Sequence, residues 1–565
     1  MEQIGRTVRL VLLAIALFLA FAFSALAGPK ILLFTASYGA GHDAAAKRVK
    51  EAILEKTPDA EVIIKNMQDF MPEAIRERSV KAFNWAQSKP KVYDFFFDDY
   101  IRQGQKVEHV GKMPIGKLIR MKEFITWTQS QHPDAMVATW FSAVDIVENA
   151  RRQGALKDVP LGWVHTDNVS NGGKTQGYFE KAAMAADHAF MPGVKVAEEF
   201  VAAGVPQDRL TVSGMPVKLK ERPPLTMEQR EARKLQARTE LGLDPLRKTI
   251  MIEAGKNGIG NYPAMIGSIL HASPGEKLNI IAATGENPAQ LEVVNWMLDG
   301  VGSDQAKASK LYSRLKVLRK QGVSEQQIQD WIRNGVSKEF VDLRPLKFVP
   351  LTTWRFAADV VATKPGGLST AEMAADGIPM ILRAGMASGQ ELHNVAKFVD
   401  AGLAVTNNDE ATIGSAVKKV LEDRRFLETL YRNSEEFRTH MKTDLIADWT
   451  LKTAQEHALR TPASSEGLLA PVQQGNCLMR ALRKLKAVFK GAVSLGQGRR
   501  TESHFAFPAF RPIMLSWDSG YGIHKEKPDG FASRRQATFH RLKRAKNIRS
   551  KSMSPFFLHT VLTAA

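Results

Sequence analysis

The 565-residue sequence holds a single cysteine, Cys477, so no intramolecular disulfide can form and no Cys-x-x-Cys metal site exists. No His and carboxylate cluster falls at His-Glu-x-x-His or similar spacing, which removes the usual signatures of zinc. Acidic residues are in deficit: 59 Asp and Glu face 78 Lys and Arg, for a formal net charge of +19. The deficit is uneven. From Thr461 onward there are 18 Lys and Arg against 5 Asp and Glu, a surplus of 13, which leaves 6 for everything before it. Such segments attract nucleic acid and anionic lipid alike. No aromatic-interleaved RNA- or DNA-binding motif accompanies the charge, so nothing points to a specific nucleic acid partner. Charge is also missing from Leu10 to Ala27, an apolar stretch preceded by Arg6 and Arg9 and closed by Ala25-Leu26-Ala27 before Gly28. That pattern reads as a secretory signal peptide or as an uncleaved membrane anchor over residues 1–28.

What remains has ordinary globular composition, 44% hydrophobic, and a length that calls for two or more domains. Short apolar runs of the buried-strand kind alternate with helical periodicity. Ile31-Leu32-Leu33-Phe34 is the first run, and a helix follows with Ala46, Val49, Ile53 and Leu54 on one face. Residues 61–64, 135–138 and 161–164 read as further strands. Residues 66–130, rich in aromatics and Lys/Arg, read as an insertion on one side of this domain. Pro216 closes the unit, and a charged, Pro-containing stretch opens a linker. A second series starts at 249–252 and continues at 279–282, 347–349, 360–362 and 379–382, with a charged, mostly helical insertion at 295–342. Alternating strands and helices imply parallel sheets covered on both faces. The expected organisation is therefore α/β: a first, acceptor-binding Rossmann-like domain at 29–217, a linker region at 218–248, a second, donor-binding Rossmann-like domain at 249–460 whose last helices can pack back on the first, and a basic, largely disordered tail at 461–565. Two doubly wound domains face each other across a cleft, with ligands at the carboxyl ends of the strands.

Four loops at those ends carry chemistry. Ala36-Ser37-Tyr38-Gly39-Ala40-Gly41-His42-Asp43 joins a strand to a helix, permits close backbone approach and would aim His42 into the cleft. Glu253-Ala254-Gly255-Lys256-Asn257-Gly258-Ile259-Gly260-Asn261 can present several backbone N–H groups to a phosphate, and it lacks the Gly-Lys-Ser/Thr ending of an NTPase loop. Thr363-Lys364-Pro365-Gly366-Gly367-Leu368-Ser369-Thr370-Ala371-Glu372 is a rigid turn running into a helix. Ser369 and Thr370 are placed to cap it, and Glu372 to accept from ribose hydroxyls. Ser388-Gly389-Gln390-Glu391-Leu392-His393-Asn394 offers amides and a carboxylate suited to sugar hydroxyls.

Together these motifs resemble the monogalactosyldiacylglycerol synthase and processive diacylglycerol glucosyltransferase family, in order and with the family's spacing, over residues 30–455. Val212-Ser213-Gly214-Met215-Pro216-Val217 is similar to its Gly-Ile-Pro-Val segment at the interdomain turn, and Gly285-Glu286-Asn287 to its Gly-Lys-Asn. The resemblance implies a GT-B fold and metal-independent inverting transfer of a hexose, galactose or glucose, from a UDP-sugar to diacylglycerol or a similar lipid. Gly255, Asn257 and Gly258 of the second loop are read from that loop as donor-binding, and on matching positions the resemblance implies that Gly285, Asn287 and Pro365 shape the donor site. It puts Gly366, Gly367, Ser369 and Thr370 at the diphosphate, Glu372 at the ribose, and Phe348 and Val349 at the uracil. Gln390, Glu391 and Asn394 would hold the sugar and phosphate region. No cofactor and no metal is expected besides the donor.

Inversion needs a base for the acceptor hydroxyl and N–H groups or positive charge for the departing diphosphate. His42 is the first choice of base. Asp167, in His165-Thr166-Asp167, is the second, or the group that orients His42; His165 reads as a polar wall residue. Departures exist. The first motif is Gly-Ala-Gly-His-Asp where the family has three glycines and a basic residue, and Leu392-His393 replaces small or acidic residues. Two alternatives follow. One is the related GlcNAc transferase of peptidoglycan lipid intermediates, whose first loop has Pro where Ala45 stands here. The other is a catalytically silent lipid- or nucleotide-sugar-binding homologue. In the tail, Leu478, Leu482, Leu485 and Phe489 recur at helical spacing among Arg and Lys, an amphipathic helix near 478–490 suited to an anionic membrane surface. Membrane association is expected, on a side that the sequence leaves open.

Overall fold

The computed structural model describes residues 28–460 apart from 39, 88, 171–176, 220–224 and 388. The N-terminal apolar segment and the tail with its helix near 478–490 lie outside the described residues. Among the described residues no helix is long and apolar enough to cross a membrane.

Two six-stranded parallel sheets organise the chain. The first contains β1 (Lys30–Thr35), β2 (Glu61–Asn66), β3 (Ala135–Ala138), β4 (Leu161–Val164), β5 (His188–Met191) and β6 (Leu210–Val212), in the order β2-β1-β3-β4-β5-β6. The second contains β7 (Lys248–Glu253), β8 (Leu278–Ala283), β9 (Val341–Leu346), β10 (Val360–Thr363), β11 (Met380–Arg383) and β12 (Val405–Asn407), in the order β12-β11-β10-β7-β8-β9. Counted from β7, this is the 3-2-1-4-5-6 order of a dinucleotide-binding sheet. The inner strands are largely apolar runs because helices cover both faces: Ile31, Leu32, Leu33 and Phe34 are all fully buried, as are Met251 and Ile252. In each sheet the order reverses once, between β1 and β3 and between β7 and β10. Loops there diverge to opposite faces and leave a crevice.

Several expectations need correction. The strand expected at 347–349 lies at Val341–Leu346 instead. It is an edge strand, which is why it tolerates Pro345 opposite Ala282: the missing N–H points away from the sheet. The 218–248 region is more than a connection. Thr226 and Gln229 form a reciprocal capping box that starts the helix Met227–Glu240. That helix joins the second domain through Arg238, which donates to Asp359 and to the Ala357 carbonyl. The charged 295–342 insertion is built into the second domain's core by Trp296, Leu311, Leu315, Ile328 and Trp331. The last helix, Thr443–Arg460, returns to the first domain, where Ile446, Ala447, Leu451 and Ala454 pack beneath β1 and β3.

Candidate functional site

Helix Gly41–Lys56 follows β1, and helix Gly367–Asp376 follows β10. Neither has a side-chain cap: the N-cap positions are Ala40 and Gly366. Ser369 and Thr370 were expected to cap the second helix but stand inside its first turn. First-turn N–H groups of both helices are therefore left for a ligand, at the positive ends of two helix dipoles. Both ends line one interdomain cavity of about 140 Å³, with His42, Asp167, Gly255, Asn257, Gly366, Gly367, Ser369, Gln390 and Glu391 on its walls. Lys256 and Lys364 add positive charge to the same walls. A larger, open depression of about 610 Å³ lies elsewhere, around Ser268, His271 and Lys418, and contains none of the candidate residues.

His42 is buried, and its Nδ1 lies 2.8 Å from the Thr139 carbonyl and 3.3 Å from the Thr166 hydroxyl. A carbonyl oxygen can only accept, so Nδ1 carries the proton and Nε2 the lone pair. Burial holds the imidazole below its usual pKa, against the opposing charges of Asp167 and Asp43 and the Thr139 bond. The group that orients His42 by hydrogen bonding is thus Thr139, not Asp167, which acts on it through charge. His165 is tied by Nε2 to the Val169 carbonyl at 2.7 Å and stacks among Trp163, Phe179 and Phe200. It is a neutral wall residue, pushed down to about 4 mainly by burial.

Asn394 departs from its expected role. Its Oδ1 accepts from both the backbone and the side-chain amide of Asn168, and its Nδ2 donates to Asp167 Oδ1 at 3.0 Å and to the Pro365 carbonyl at 3.1 Å. Both donors and both lone pairs are used, so no capacity remains for a sugar. Asn394 is instead a buried strut between the domains. Glu372 is ion-paired rather than open: Arg355 reaches it at 3.3 Å and Arg48, from the first domain, at 3.5 Å. The Arg355 fork also grips Glu253 at 2.9 and 3.0 Å. Glu391 is nearly buried, with Oε1 on the Lys364 ammonium at 2.7 Å and Oε2 without a hydrogen-bond partner among the described residues. Burial raises its pKa, with Lys364 opposing.

The remaining candidates shape the loops. Gly258 has φ +53°, and a Cβ there would run into the Thr284 carbonyl. The Gly285–Asn287 turn braces the same loop: Glu286 N–H donates to the Lys256 carbonyl at 2.7 Å, and Asn287 Nδ2 to the Asn257 carbonyl at 3.2 Å. Pro365 offers its carbonyl to Asn394. Thr370 has a fully buried hydroxyl and does not line the cavity. Phe348 and Val349 follow β9 outside the cavity, and Phe348 is exposed. Sequence reading did not assign Lys364, though the motif contained it, nor Thr139, Arg355, Tyr93 and Asp94. Those last four come from other elements, and only the topology brings them to the loops.

Two facing Rossmann-like domains with glycine-rich loops at both switch points make this a GT-B-type chain. No family model matches it. The chain is similar to processive diacylglycerol beta-glucosyltransferases, as the motifs indicated. It is 24% identical over 417 residues to that of Bacillus pumilus, covering 73% of this chain and 91% of the relative. It is 23% identical over 422 residues to that of Bacillus licheniformis, covering 74% and 93%. Among solved structures, MurG of Acinetobacter baumannii aligns with 13% identity and a TM-score of 0.42 over 75% of this chain and 99% of that one.

Proposed function

We propose that this chain is a UDP-sugar-dependent glycosyltransferase, and that it moves a hexose, glucose or galactose, onto diacylglycerol or a similar lipid at a membrane surface. One observation carries the reading: two uncapped helix N-termini from opposite domains, with Lys256 and Lys364, meet in one cavity beside a histidine whose Nε2 holds a lone pair. Backbone N–H groups at helix ends suit a diphosphate. The names of the relatives support diacylglycerol as acceptor and glucose as the hexose; galactose rests on the motif resemblance alone.

In this reading His42 Nε2 takes the acceptor hydroxyl proton. The oxygen attacks the anomeric carbon as the bond to the diphosphate breaks on the opposite face, so the configuration inverts. The first-turn N–H groups of the Gly367–Asp376 helix and the Lys364 ammonium take up the charge of the leaving UDP. Asp167, fixed by Asn394, stabilises the imidazolium that forms. The diphosphate charge is met by protein groups, so the reading requires no metal.

The test is incubation of the full chain with UDP-glucose or UDP-galactose and detergent-dispersed diacylglycerol, with products identified by mass spectrometry and anomeric coupling. A β-linked hexosyl-diacylglycerol is expected, in EDTA as in buffer. Transfer of N-acetylglucosamine alone, or failure of UDP to bind by calorimetry, would overturn the reading.

A further inference from the structure

The two donor-side loops are held from different directions. The 389–391 turn is held from the first domain, where Gly389 N–H donates to Asp94 Oδ1 at 2.6 Å and the Tyr93 hydroxyl lies 3.3 Å from Gln390 Oε1. The 253–261 loop is held from behind, by its own domain. Its front, Gly255, Lys256 and Asn257, lines the cavity, while its rear, Ile259, Gly260 and Asn261, does not. Three separate elements each take one backbone group of that rear. Arg383, the last residue of β11, donates from Nη2 to the Ile259 carbonyl at 2.8 Å. Gln290, on helix Pro288–Asp299, donates to the Gly260 carbonyl at 2.5 Å. Glu410, in the turn Glu410–Thr412 that follows β12, accepts from Asn261 N–H at 2.9 Å. Arg383 also pairs with Glu410, and its Nη1 lies 3.5 Å from the Glu253 carbonyl, so one guanidinium reaches both ends of the loop. Gly260 has φ +132°, and a Cβ there would run into Arg383 Nη2 and Glu410 Oε1. The pair closes on the loop and leaves no room for a side chain between them.

We propose that Arg383 and Glu410 are positioning residues for donor binding: as an ion pair behind the 253–261 loop they fix its rear, and thereby hold its front in the shape that receives the diphosphate. The proposal rests on the reading of the cleft as a nucleotide-sugar site. Neither residue lines the cleft cavity, so neither touches the donor itself. A loop that presents backbone N–H groups to an anion works only while those groups converge, and a backbone free to wander must be ordered anew at each binding event. A guanidinium can only donate and a carboxylate can only accept, so the Ile259 carbonyl and the Asn261 N–H each have one possible partner in the pair. Arg383 is 2% exposed. An apolar pair of similar volume would often be as stable in such a place as an ion pair. What the charges add is the directed bonds to the loop.

Stability and loop position separate in a pair of variants. Glu410→Met strands a buried guanidinium and should lower the urea-unfolding midpoint. Adding Arg383→Met removes the stranded charge and should restore much of the loss. UDP affinity, measured by calorimetry on the full chain without denaturant, should not follow the midpoint. Kd should rise about tenfold in Arg383→Met, in Glu410→Met and in the double variant alike, as for a loop that holds its binding shape about a tenth of the time. Gly260→Ala leaves both charges in place and wedges them off the loop. It should raise Kd to a similar extent, and it carries the test if the Met variants do not fold. A Kd that recovers with the midpoint in the double variant would reduce the pair to a structural role and overturn the proposal. So would a Kd within about twofold of the parent's in Arg383→Met or in Gly260→Ala. Either result leaves the nucleotide-sugar reading standing. A parent chain that does not bind UDP would overturn that reading, and the proposal with it.

Discussion

A histidine serves as a base only if the correct nitrogen is free, and the Thr139 carbonyl makes that choice for His42. His42→Ala should lower kcat by about 10²–10⁴ with UDP affinity nearly unchanged, read from steady-state rates and calorimetry. If the variant keeps full rate and Asp167→Asn does not, Asp167 is the base. Burial holds the His42 pKa below 6.5, so the neutral, working form persists into mild acid. The acid limb of kcat/KM should therefore lie below pH 6.5, and a limb at or above that value would contradict the assignment. The same physics makes His165 a stability sensor. Its folded pKa of about 4 lies below the unfolded value of about 6.5, so the unfolded chain takes the proton first. Stability is then lost as pH falls from 6.5 towards 4, by roughly 3 kcal/mol at most at 1.36 kcal/mol per unit. His165→Phe keeps the stacking on Trp163 and Phe179 and should flatten that part of a urea-unfolding profile taken against pH; an equally steep profile would place the acid sensitivity elsewhere.

At the scale of elements, spacing on one helix links the sugar turn to the candidate base. Gln390, Glu391 and Asn394 stand three and four apart on helix Gln390–Asp400, so they share a face. The first two line the cavity, and the third holds Asp167 and the Pro365 carbonyl. Asn394→Asp replaces two N–H donors with carboxylate oxygens facing a carboxylate and a carbonyl. It should cost about 2–4 kcal/mol, two lost bonds with one now repulsive, and the loss should shrink in mild acid as the new carboxyl protonates and donates again. Denaturant unfolding at two pH values checks this; unfolding indistinguishable from the parent would mean that the amide bears no strut role. This residue also marks how far sequence could see. Apolar runs ending in glycine-rich loops made most strands legible, because a strand buried on both faces is written as a run. β9 was misplaced because Val-Asp-Leu-Arg-Pro-Leu alternates like an edge strand while Phe348-Val349 imitates a buried one. The motifs placed His42, Gly255, Gly366 and Glu391 around one cavity. They could not distinguish a side chain aimed at ligand from one consumed by the protein, as Asn394 is. They were silent on Tyr93 and Asp94, whose partners lie 297 and 295 residues away.

For the whole molecule, the proposed lipid acceptor requires a way for a chain with a polar cleft to reach a membrane surface. Charge is the available lever. Of the net +19, 13 belongs to residues 461–565, while the rest of the chain carries a small surplus that its many ion pairs disperse. The tail lies outside the described residues; in its sequence Leu478, Leu482, Leu485 and Phe489 recur every three or four positions among Arg480, Arg483, Lys484, Lys486 and Lys490, and we propose that this stretch binds an anionic lipid interface. Each Lys or Arg close to an anionic surface contributes about 1 kcal/mol, and salt screens it. Apolar insertion is less sensitive to salt, so the two contributions separate in one experiment. The full chain and a chain ending at residue 462 are pelleted with liposomes of neutral and of anionic lipid at rising salt. The full chain should bind anionic liposomes more tightly and lose that advantage as salt rises. The shortened chain should bind weakly at every salt concentration yet keep its turnover on detergent-dispersed lipid, because every residue lining the cleft cavity precedes the cut. Superimposable binding curves would remove the tail from membrane recognition. Loss of turnover in the shortened chain, with UDP binding intact, would instead give the tail a part in handling the acceptor.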